Sequence, residues 1–537
     1  MRLHTLKRLF VGNPLPTAQA RHERLSKVTG LAVFASDNLS SVAYATEEIL
    51  RVLILAGSAA LALSVPIGVA IAVVIAIVIS SYRQTIVAYP QGASDYIVAK
   101  DNLGVYPGLT AGSALLIDYT LTVAVSVSAG VAALTSAFPF LYPERVLICV
   151  VFVVGVAVAN LRGVRESGRL FAVPTYLFIA GFFVLLLVGF IRYAFGEIPT
   201  PSPSQPAPGA VSGLGLFLVL RAFASGAVAL TGIEAVADGI TAFKPPEVKN
   251  ARTVLAWLGL IMAALFVGVT VLTSLFGIVP REEETVVSQL AWQVFGGGFP
   301  YFYIQAVSVI ILILAANTAF ADFPRLAFFM ARDGYLPRQF GHRGDRLVFS
   351  NGIIILGLAA VLLIVIFQGS THALIPLYAV GVFTSFTLSQ LSMVRRWLRQ
   401  RPPGWWWRAT VNGIGAVTTG LVMAVVAATK FVDGAWIVVG LIVLFITLFL
   451  TINRHYREVA RQLSLDGYGG PPPLPHTVLV LVGDLHKGVV QALQYAKTLS
   501  PDAKAVYVET DPQLTRKLEE KWTKWGCGLP LVVLDSP

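Results

Sequence analysis

Long apolar runs alternate with short polar segments through the first 455 residues of the chain. A membrane-spanning helix needs about 20 mostly apolar residues to cross roughly 30 Å of hydrocarbon, and most of the runs approach or exceed that length. The pattern therefore predicts twelve helices, at approximately 28–53, 62–82, 107–137, 145–161, 169–192, 213–240, 253–279, 300–330, 351–367, 371–394, 410–430 and 433–452.

The charges between the runs indicate how the chain crosses the membrane. Basic residues concentrate in alternate segments, and the segments between them include the acidic run Glu282-Glu283-Glu284. Cytoplasmic loops of membrane proteins accumulate Lys and Arg, so we expect the basic segments and both termini to be cytoplasmic. The basic segments lie near residues 7–27, 162–169, 244–252, 332–346 and 395–401.

The pattern changes after residue 455. A Gly- and Pro-rich linker leads into strand-like and helix-like segments in alternation, which is the beginning of a doubly wound α/β domain. This stretch makes about half of such a domain, so it leans on a partner or is incomplete. We expect a cytoplasmic N-terminal segment, a transmembrane domain, a linker and a cytoplasmic α/β domain, at 1–27, 28–455, 456–475 and 476–537.

Composition supports a multi-pass protein of the cell membrane. Of 537 residues, 56% are hydrophobic and 13% charged, against roughly 25% charged in soluble domains, which excludes ordinary soluble enzymes and disordered or fibrous chains. The net charge of +11 is explained by the inner loops, so no nucleic-acid partner is expected. No catalytic triad or metal-ligand spacing is visible, and we expect neither enzymatic activity nor a cofactor.

Polar residues interrupt the apolar runs at selected places. A charge inside a span costs roughly 2.5–3.5 kcal/mol and is read as functional by default. Asp37 lies in the polar run 36–41 of the first span, Asp118 in the third, and Glu234 in the sixth. The neighbouring hydroxyl and phenol side chains are Tyr44, Tyr119, Thr122, Ser126, Thr231 and Tyr378.

The spacing of these groups predicts one helix face and two broken helices. Asp118, Thr122 and Ser126 are four residues apart, so they share a face. Small and polar residues in the first and sixth spans favour helices that unwind at the midplane, where freed carbonyls coordinate a cation. The two breaks occupy corresponding positions in two five-helix halves, as in the inverted repeats of many secondary transporters.

The local chemistry indicates a cation as the substrate. Asp37 would repel the carboxylate of an amino acid, and no basic residue lies in the same stretches. The oxygen-rich group suits a dehydrated monovalent cation. It holds more carboxylates than one such ion needs, so one of them can carry a proton. For any single polar residue, a purely structural role stays open.

The other polar positions have either two possible roles or a purely structural role. Glu47 and Glu48 line an outer vestibule or end the span near water, and Asp238 forms a cytoplasmic gate or a plain helix end. We expect Asp322, near Arg325, and Asp95 to form ion pairs at the inner end. The triplet Trp405–Trp407 is typical of an interfacial anchor.

Several of these stretches carry a family resemblance. Phe34-Ala35-Ser36-Asp37-Asn38-Leu39-Ser40-Ser41-Val42-Ala43-Tyr44-Ala45-Thr46-Glu47-Glu48 closely resembles the first-helix motif of KimA-type potassium/proton symporters, of the amino acid–polyamine–organocation superfamily. Further matching stretches are Asp118-Tyr119-Thr120-Leu121-Thr122 and Thr231-Gly232-Ile233-Glu234-Ala235. The first motif is long and specific. At Ser36-Asp37-Asn38 the sequence departs mildly from the family pattern, which bears on the backbone geometry there.

The resemblance implies a LeuT-like 5+5 inverted repeat of 12 transmembrane helices, a homodimer and a cytoplasmic domain similar to universal stress proteins. It implies that Glu234 is the proton-linked carboxylate and that eight residues line the potassium path: Asp37, Tyr44, Asp118, Tyr119, Thr122, Ser126, Thr231 and Tyr378. Cyclic di-AMP, which inhibits the family, is an implied ligand of the cytoplasmic domain, although the tail lacks a nucleotide-cradling Gly-rich loop.

The sequence thus predicts a proton-coupled potassium importer that works by alternating access in the cell membrane. Two alternatives remain. An amino acid or polyamine permease would use the same fold, and Asp37 is compatible with a polyamine. A membrane sensor that has lost transport would bind ions without accumulating them.

Overall fold

The computed structural model describes residues 24–163, 168–197, 213–344, 348–466 and 476–535. The chain divides into two compact units, Met1–Glu458 and Val459–Pro537. Most of the expected N-terminal segment and part of the expected linker, at 1–23 and 467–475, lie outside the described residues.

Sixteen α-helices precede the first strand in the described part of the chain. In chain order they are α1 (Lys27–Ser40), α2 (Ala45–Leu53), α3 (Ser64–Ala88), α4 (Asp95–Leu103), α5 (Val105–Ala137), α6 (Arg145–Leu161), α7 (Gly168–Ala194), α8 (Leu216–Gly226), α9 (Ala235–Asp238), α10 (Glu247–Leu275), α11 (Val286–Phe295), α12 (Phe299–Arg332), α13 (Ser350–Ile366), α14 (Thr371–Gln400), α15 (Trp405–Lys430) and α16 (Trp436–Gln462).

Nine helical segments of the described residues are long and apolar enough to cross a membrane. The chain is therefore a helical multi-pass membrane protein, as the apolar runs predict. The difference between these nine segments and the twelve predicted runs has three sources. The first run is divided between α1 and α2, and α13, which corresponds to the ninth run, has 17 residues. The last two runs form one apolar segment, Trp405–Gln462, that turns at Gly434. The twelve-span count stays a prediction.

Two of the helices are interrupted where the polar residues cluster. Between α1 and α2 lies a 3₁₀ turn at Ser41–Ala43. Between α8 and α9 the chain makes a 3₁₀ turn at Ala227–Leu230, becomes extended at Thr231 and takes a φ of +79° at Gly232. Unwound backbone is tolerated at membrane depth only where protein or a cavity surrounds it. Both interruptions are buried, as that rule requires.

The two interruptions lie within a packed helical core. α5 packs against α12, α14 and α4, and its polar face is buried together with its apolar one. α2 packs against α8, which brings one half of each broken helix together. Apolar side chains at the periphery, such as Leu358 and Val417, are exposed, as a lipid-facing surface needs. The short helices α4 and α11 were not predicted from the hydropathy pattern.

The second unit contains a small parallel sheet. Its strands are β1 (Leu479–Leu481), β2 (Lys504–Glu509) and β3 (Leu531–Asp535), and its helices are α17 (Lys487–Leu499) and α18 (Pro512–Trp525). The strands pair in the order β1-β2-β3, with Leu481 opposite Val506 and Val506 opposite Val532.

The described strands correspond to one half of a doubly wound sheet, as the sequence predicts, and the complete arrangement stays a prediction. Parallel crossovers are right-handed, so a sheet that grows in one direction places every helix on the same face. Leu493 of α17 and Trp522 of α18 indeed pack in one cluster with Ala505. The other face of the sheet is apolar and exposed, and it presents Leu479, Leu481, Val508, Val532 and Leu534.

Candidate functional site

The interruption of the first helix presents polar groups to the interruption of the sixth. The Ser41 hydroxyl oxygen lies 3.0 Å from the Tyr44 hydroxyl and 3.3 Å from Oγ1 of Thr231. Thr231 in turn donates to the Val228 carbonyl at 3.0 Å. Ser41 and Thr231 are 190 positions apart in the chain, so one hydroxyl cluster joins the two broken helices.

Asn38 makes a second connection between the broken helices. Its Nδ2 donates to the carbonyl of Thr231 at 2.8 Å and to that of Ala229 at 3.3 Å. Sequence reasoning placed Asn38 and Ser41 in the polar run but gave neither a role in the site. The available signal was their position beside Asp37, since an amide in a span must find partners for its donors.

Gly232 allows the two breaks to approach closely. A Cβ atom at this position would lie 2.7 Å from Oδ2 of Asp37 and 3.0 Å from the backbone nitrogen of Asn38. Its φ of +79° also lies in the region that favours glycine. The Asp37 carboxylate therefore rests against bare backbone of the second broken helix.

The third and tenth spans complete the polar group. The Thr122 hydroxyl on α5 donates to the Tyr378 hydroxyl on α14 at 2.9 Å. Gly381, one turn after Tyr378, packs against the backbone and Cβ of α5 around Asp118. Ser126 is buried one turn beyond Thr122, and its hydroxyl makes no hydrogen bond within the described residues.

Three buried carboxylates in this region have no basic partner. Asp37, Asp118 and Glu234 lie on three different spans, and none of them forms an ion pair within the described residues. They are close enough to repel one another when charged. Oδ1 of Asp118, Oε2 of Glu234 and Oδ1 of Asn38 are buried without a hydrogen-bond donor. Buried acceptors of this kind call for a cation or a proton.

Tyr119 makes no hydrogen bond with the hydroxyl cluster around Tyr44 in the described part of the chain. Its buried ring on α5 is near Asp238, Asp322 and Glu234. Asp322 forms an ion pair with Arg325 at 3.8 Å, as expected. The site residues thus extend from the two breaks toward a second set of carboxylates, which includes Asp238.

Asp95 forms no ion pair with any residue that the structure describes, contrary to the expectation. It is buried and accepts hydrogen bonds from the Tyr82 hydroxyl at 2.7 Å and the Ser385 hydroxyl at 2.8 Å. Hydroxyl donors take the place of a cation here: α4 packs against α14, which carries Ser385, and Tyr82 reaches Asp95 from α3. The hydropathy pattern does not indicate this contact, because it does not predict the short helix α4.

Tyr44 also lines a cavity of about 160 Å³. Its walls include Glu47, Arg51, Gln305 and His372. Glu47 accepts from Arg51 at 3.1 Å and from the backbone of Val286 at 3.0 Å. The sequence leaves two readings open for Glu47, and in the structure Glu47 lines this cavity.

His372 joins this cavity to α2. Its Nε2 lies 3.4 Å from Oε1 of Glu47, and its Nδ1 contacts Oε1 of Glu48. Lys430 is buried nearby and acts electrostatically on Glu48. A chain of charges therefore connects α2, α14 and the end of α15.

Comparison with known proteins places this arrangement in a family. A model of the amino acid permease family matches residues 25–451, and a model of the KimA potassium transporter C-terminal domain matches residues 475–537. The chain is 45% identical over 534 residues to the potassium transporter KimA of Bacillus subtilis (strain 168), covering 99% of this chain and 88% of that protein.

More distant similarities are weaker. The chain is 27% identical over 380 residues to the probable potassium transport system protein Kup of Erythrobacter litoralis, covering 66% of this chain and 57% of that protein. A manganese transporter of Eremococcus coleocola in complex with an aromatic bis-isothiourea compound aligns at 14% identity and a TM-score of 0.42, covering 81% of this chain and 95% of that one. Nothing about ion chemistry follows from a structural likeness this low.

Proposed function

Because this chain belongs to the KimA-type potassium transporters, within the amino acid permease family, we propose that it imports potassium ions by proton symport. The observation that carries the proposal is the group of three buried carboxylates on three spans without a basic partner. An anionic substrate would meet repulsion there, whereas a monovalent cation would gain oxygens in place of its water shell.

The potassium path follows the residues that surround these carboxylates. Asp37 and Asp118 supply negative charge, and hydroxyl oxygens replace the hydration of the ion. The groups that line the path are Asp37, Tyr44, Asp118, Tyr119, Thr122, Ser126, Thr231 and Tyr378. The acceptor oxygens of Asp118 and Asn38 that lack a donor support this assignment.

Glu234 is the proton-linked carboxylate of the proposed cycle. It lies in the interruption of the sixth span, close to Asp118. Three carboxylates carry more charge than one potassium ion neutralises, so protonation of one of them lowers the cost of burial. A proton on Glu234 and a potassium ion near Asp118 can then cross together.

Alternating access follows from the two broken helices. The half-helices α1, α2, α8 and α9 hold the site between them, and they can tilt while the ion stays at the midplane. The full arrangement we propose is a LeuT-like 5+5 inverted repeat of twelve spans, with both termini cytoplasmic. The cycle uses no cofactor beyond the transported potassium ion and proton.

The cytoplasmic α/β domain serves association and regulation in this proposal. One apolar face of its sheet is exposed in the isolated chain, and a homodimer would cover it. We propose a domain similar to universal stress proteins, with cyclic di-AMP as a ligand. The domain itself is matched by the KimA C-terminal family model.

Uptake of radioactive rubidium by proteoliposomes tests the function. We expect rubidium to accumulate when a pH gradient drives protons in the same direction. Added potassium should compete with rubidium and reduce this uptake. Glu234→Gln should abolish accumulation that depends on the pH gradient, and Asp118→Asn should abolish uptake. Glu144→Gln, an exposed carboxylate change outside the site, is the matched control and should accumulate rubidium normally.

Three outcomes would contradict parts of the proposal. Proton-driven accumulation by Glu234→Gln would overturn the coupling assignment. Uptake of an amino acid or polyamine in place of rubidium would favour the permease alternative. Ion binding without accumulation would indicate a sensor.

A further inference from the structure

Three arginines from neighbouring helices converge at one end of the helical unit. Arg83 lies near the end of α3, Arg252 in the first turns of α10, and Arg408 in the first turn of α15. α3 packs against both α10 and α15, so it lies between them. Arg252 is close enough to Arg83 and Arg408 for the positive charges to repel one another.

No acidic group of the described residues compensates this charge. All three side chains are half-buried, and the Nε atoms of Arg83 and Arg252 are buried without a hydrogen-bond partner. The Arg408 guanidinium packs over the Trp397 ring, 5.0 Å from its centroid. Like charges that are partly withdrawn from water need an anion nearby, and the described chain supplies none to these three groups.

The arginines border the surface that faces lipid. Arg83 lies on the same face of α3 as the exposed residues Val73, Ala76 and Ser80. Trp257, on the same helix as Arg252, and Trp406 and Trp407, next to Arg408, have exposed fractions of 41%, 63% and 57%. Exposed tryptophans mark the headgroup level of a bilayer, so the cluster lies at the depth of lipid phosphates.

We propose that Arg83, Arg252 and Arg408 together bind the phosphate of an anionic membrane lipid. The guanidinium fork matches phosphate oxygens in pairs, and basic pockets between helices are suited to phosphate headgroups. Three helices would thus be held together by a lipid anion at their shared end. The site depends on the chain being embedded in a membrane and not on the transported ion or its coupling.

Thermal unfolding of the purified full chain in detergent tests this site, with added phosphatidylglycerol compared with phosphatidylcholine. We expect phosphatidylglycerol to raise the unfolding temperature of the unmodified protein. In Arg252→Gln the apparent affinity for this lipid should fall about tenfold, since a charge-assisted hydrogen-bond partner is lost. With phosphatidylcholine alone, Arg252→Gln should be at least as stable as the unmodified protein, because one repelling charge is gone.

Arg399→Gln is the matched control, since it removes an exposed arginine of α14 outside the cluster. It should keep the full response to phosphatidylglycerol. Arg83→Gln provides a second variant with the same expected loss. An equal lipid response in these variants and the unmodified protein would overturn the proposal, as would a loss of stability of both variants in phosphatidylcholine alone. A rise of the same size with inorganic phosphate would show that the site takes free anions and not a lipid. None of these readouts depends on transport, so they are separate from the test of the proposed function.

Discussion

Gly232 occupies the closest point between the two broken helices, where the Asp37 carboxylate meets bare backbone. An alanine Cβ would lie 2.7 Å from Oδ2 of Asp37, so one of the two segments must shift. We expect Gly232→Ala to reduce rubidium uptake by about tenfold or more, because small misplacements of binding groups cost this much. Initial uptake rates in proteoliposomes measure the effect.

Gly277→Ala is the control that separates the close contact of position 232 with Asp37 from the effect of backbone strain. Gly277 also has a positive φ, of +62°, but a Cβ there would meet nothing within 4 Å. Both variants should lose about 1–2 kcal/mol of stability from the left-handed conformation, while Gly277→Ala keeps its uptake. Equal uptake by the two variants would show that the approach of Gly232 to Asp37 is irrelevant to transport.

At the scale of elements, α14 holds α2, the second half of the first broken helix, through His372. This side chain reaches both Glu47 and Glu48 of α2, and both carboxylates are buried. We expect His372→Ala to lower the free energy of unfolding on the order of 1–3 kcal/mol, because buried acceptors lose a partner. Thermal or denaturant unfolding of the purified protein measures this change.

His342→Ala is the control for this prediction, since the imidazole of His342 makes no hydrogen bond or ion pair within the described residues. It should unfold as the unmodified protein does. His372→Gln retains a side-chain donor and should recover part of the lost stability. If His372→Ala were as stable as the control, the contacts of His372 would contribute nothing to holding α2.

At the scale of the whole molecule, the exposed apolar face of the C-terminal sheet bears on the proposed homodimer. Leu481 of the edge strand β1 has an exposed fraction of 81%, and Leu534 of β3 lies on the same face. We expect Leu481→Lys to convert a dimer into monomers, because burial of an unpaired charge in an apolar interface is unfavourable. Light scattering during gel filtration in detergent measures the mass.

Leu514→Lys adds the same charge to an exposed position on α18, away from that face. It should remain dimeric. A Leu481→Lys protein that is still a dimer would place the subunit contact elsewhere on the molecule.

Hydropathy was sufficient for the membrane class and for most helices, because a span must be apolar over its whole length. It was insufficient for the short helices α4 and α11, which the apolar runs do not predict. It also could not place α17 and α18 on one face of the sheet, since that depends on the order in which the strands pair. The local sequence of a strand does not indicate which strands it pairs with.

The sequence by itself determined which polar residues matter, because the membrane penalises a charge wherever no partner relieves it. Asp37, Asp118 and Glu234 stand out for this reason. Only the tertiary structure decided their surroundings. It joined Asn38 and Ser41 to the second broken helix and gave Asp95 hydroxyl donors in place of a cation. Such partners come from distant parts of the chain, so the packing of helices selects them.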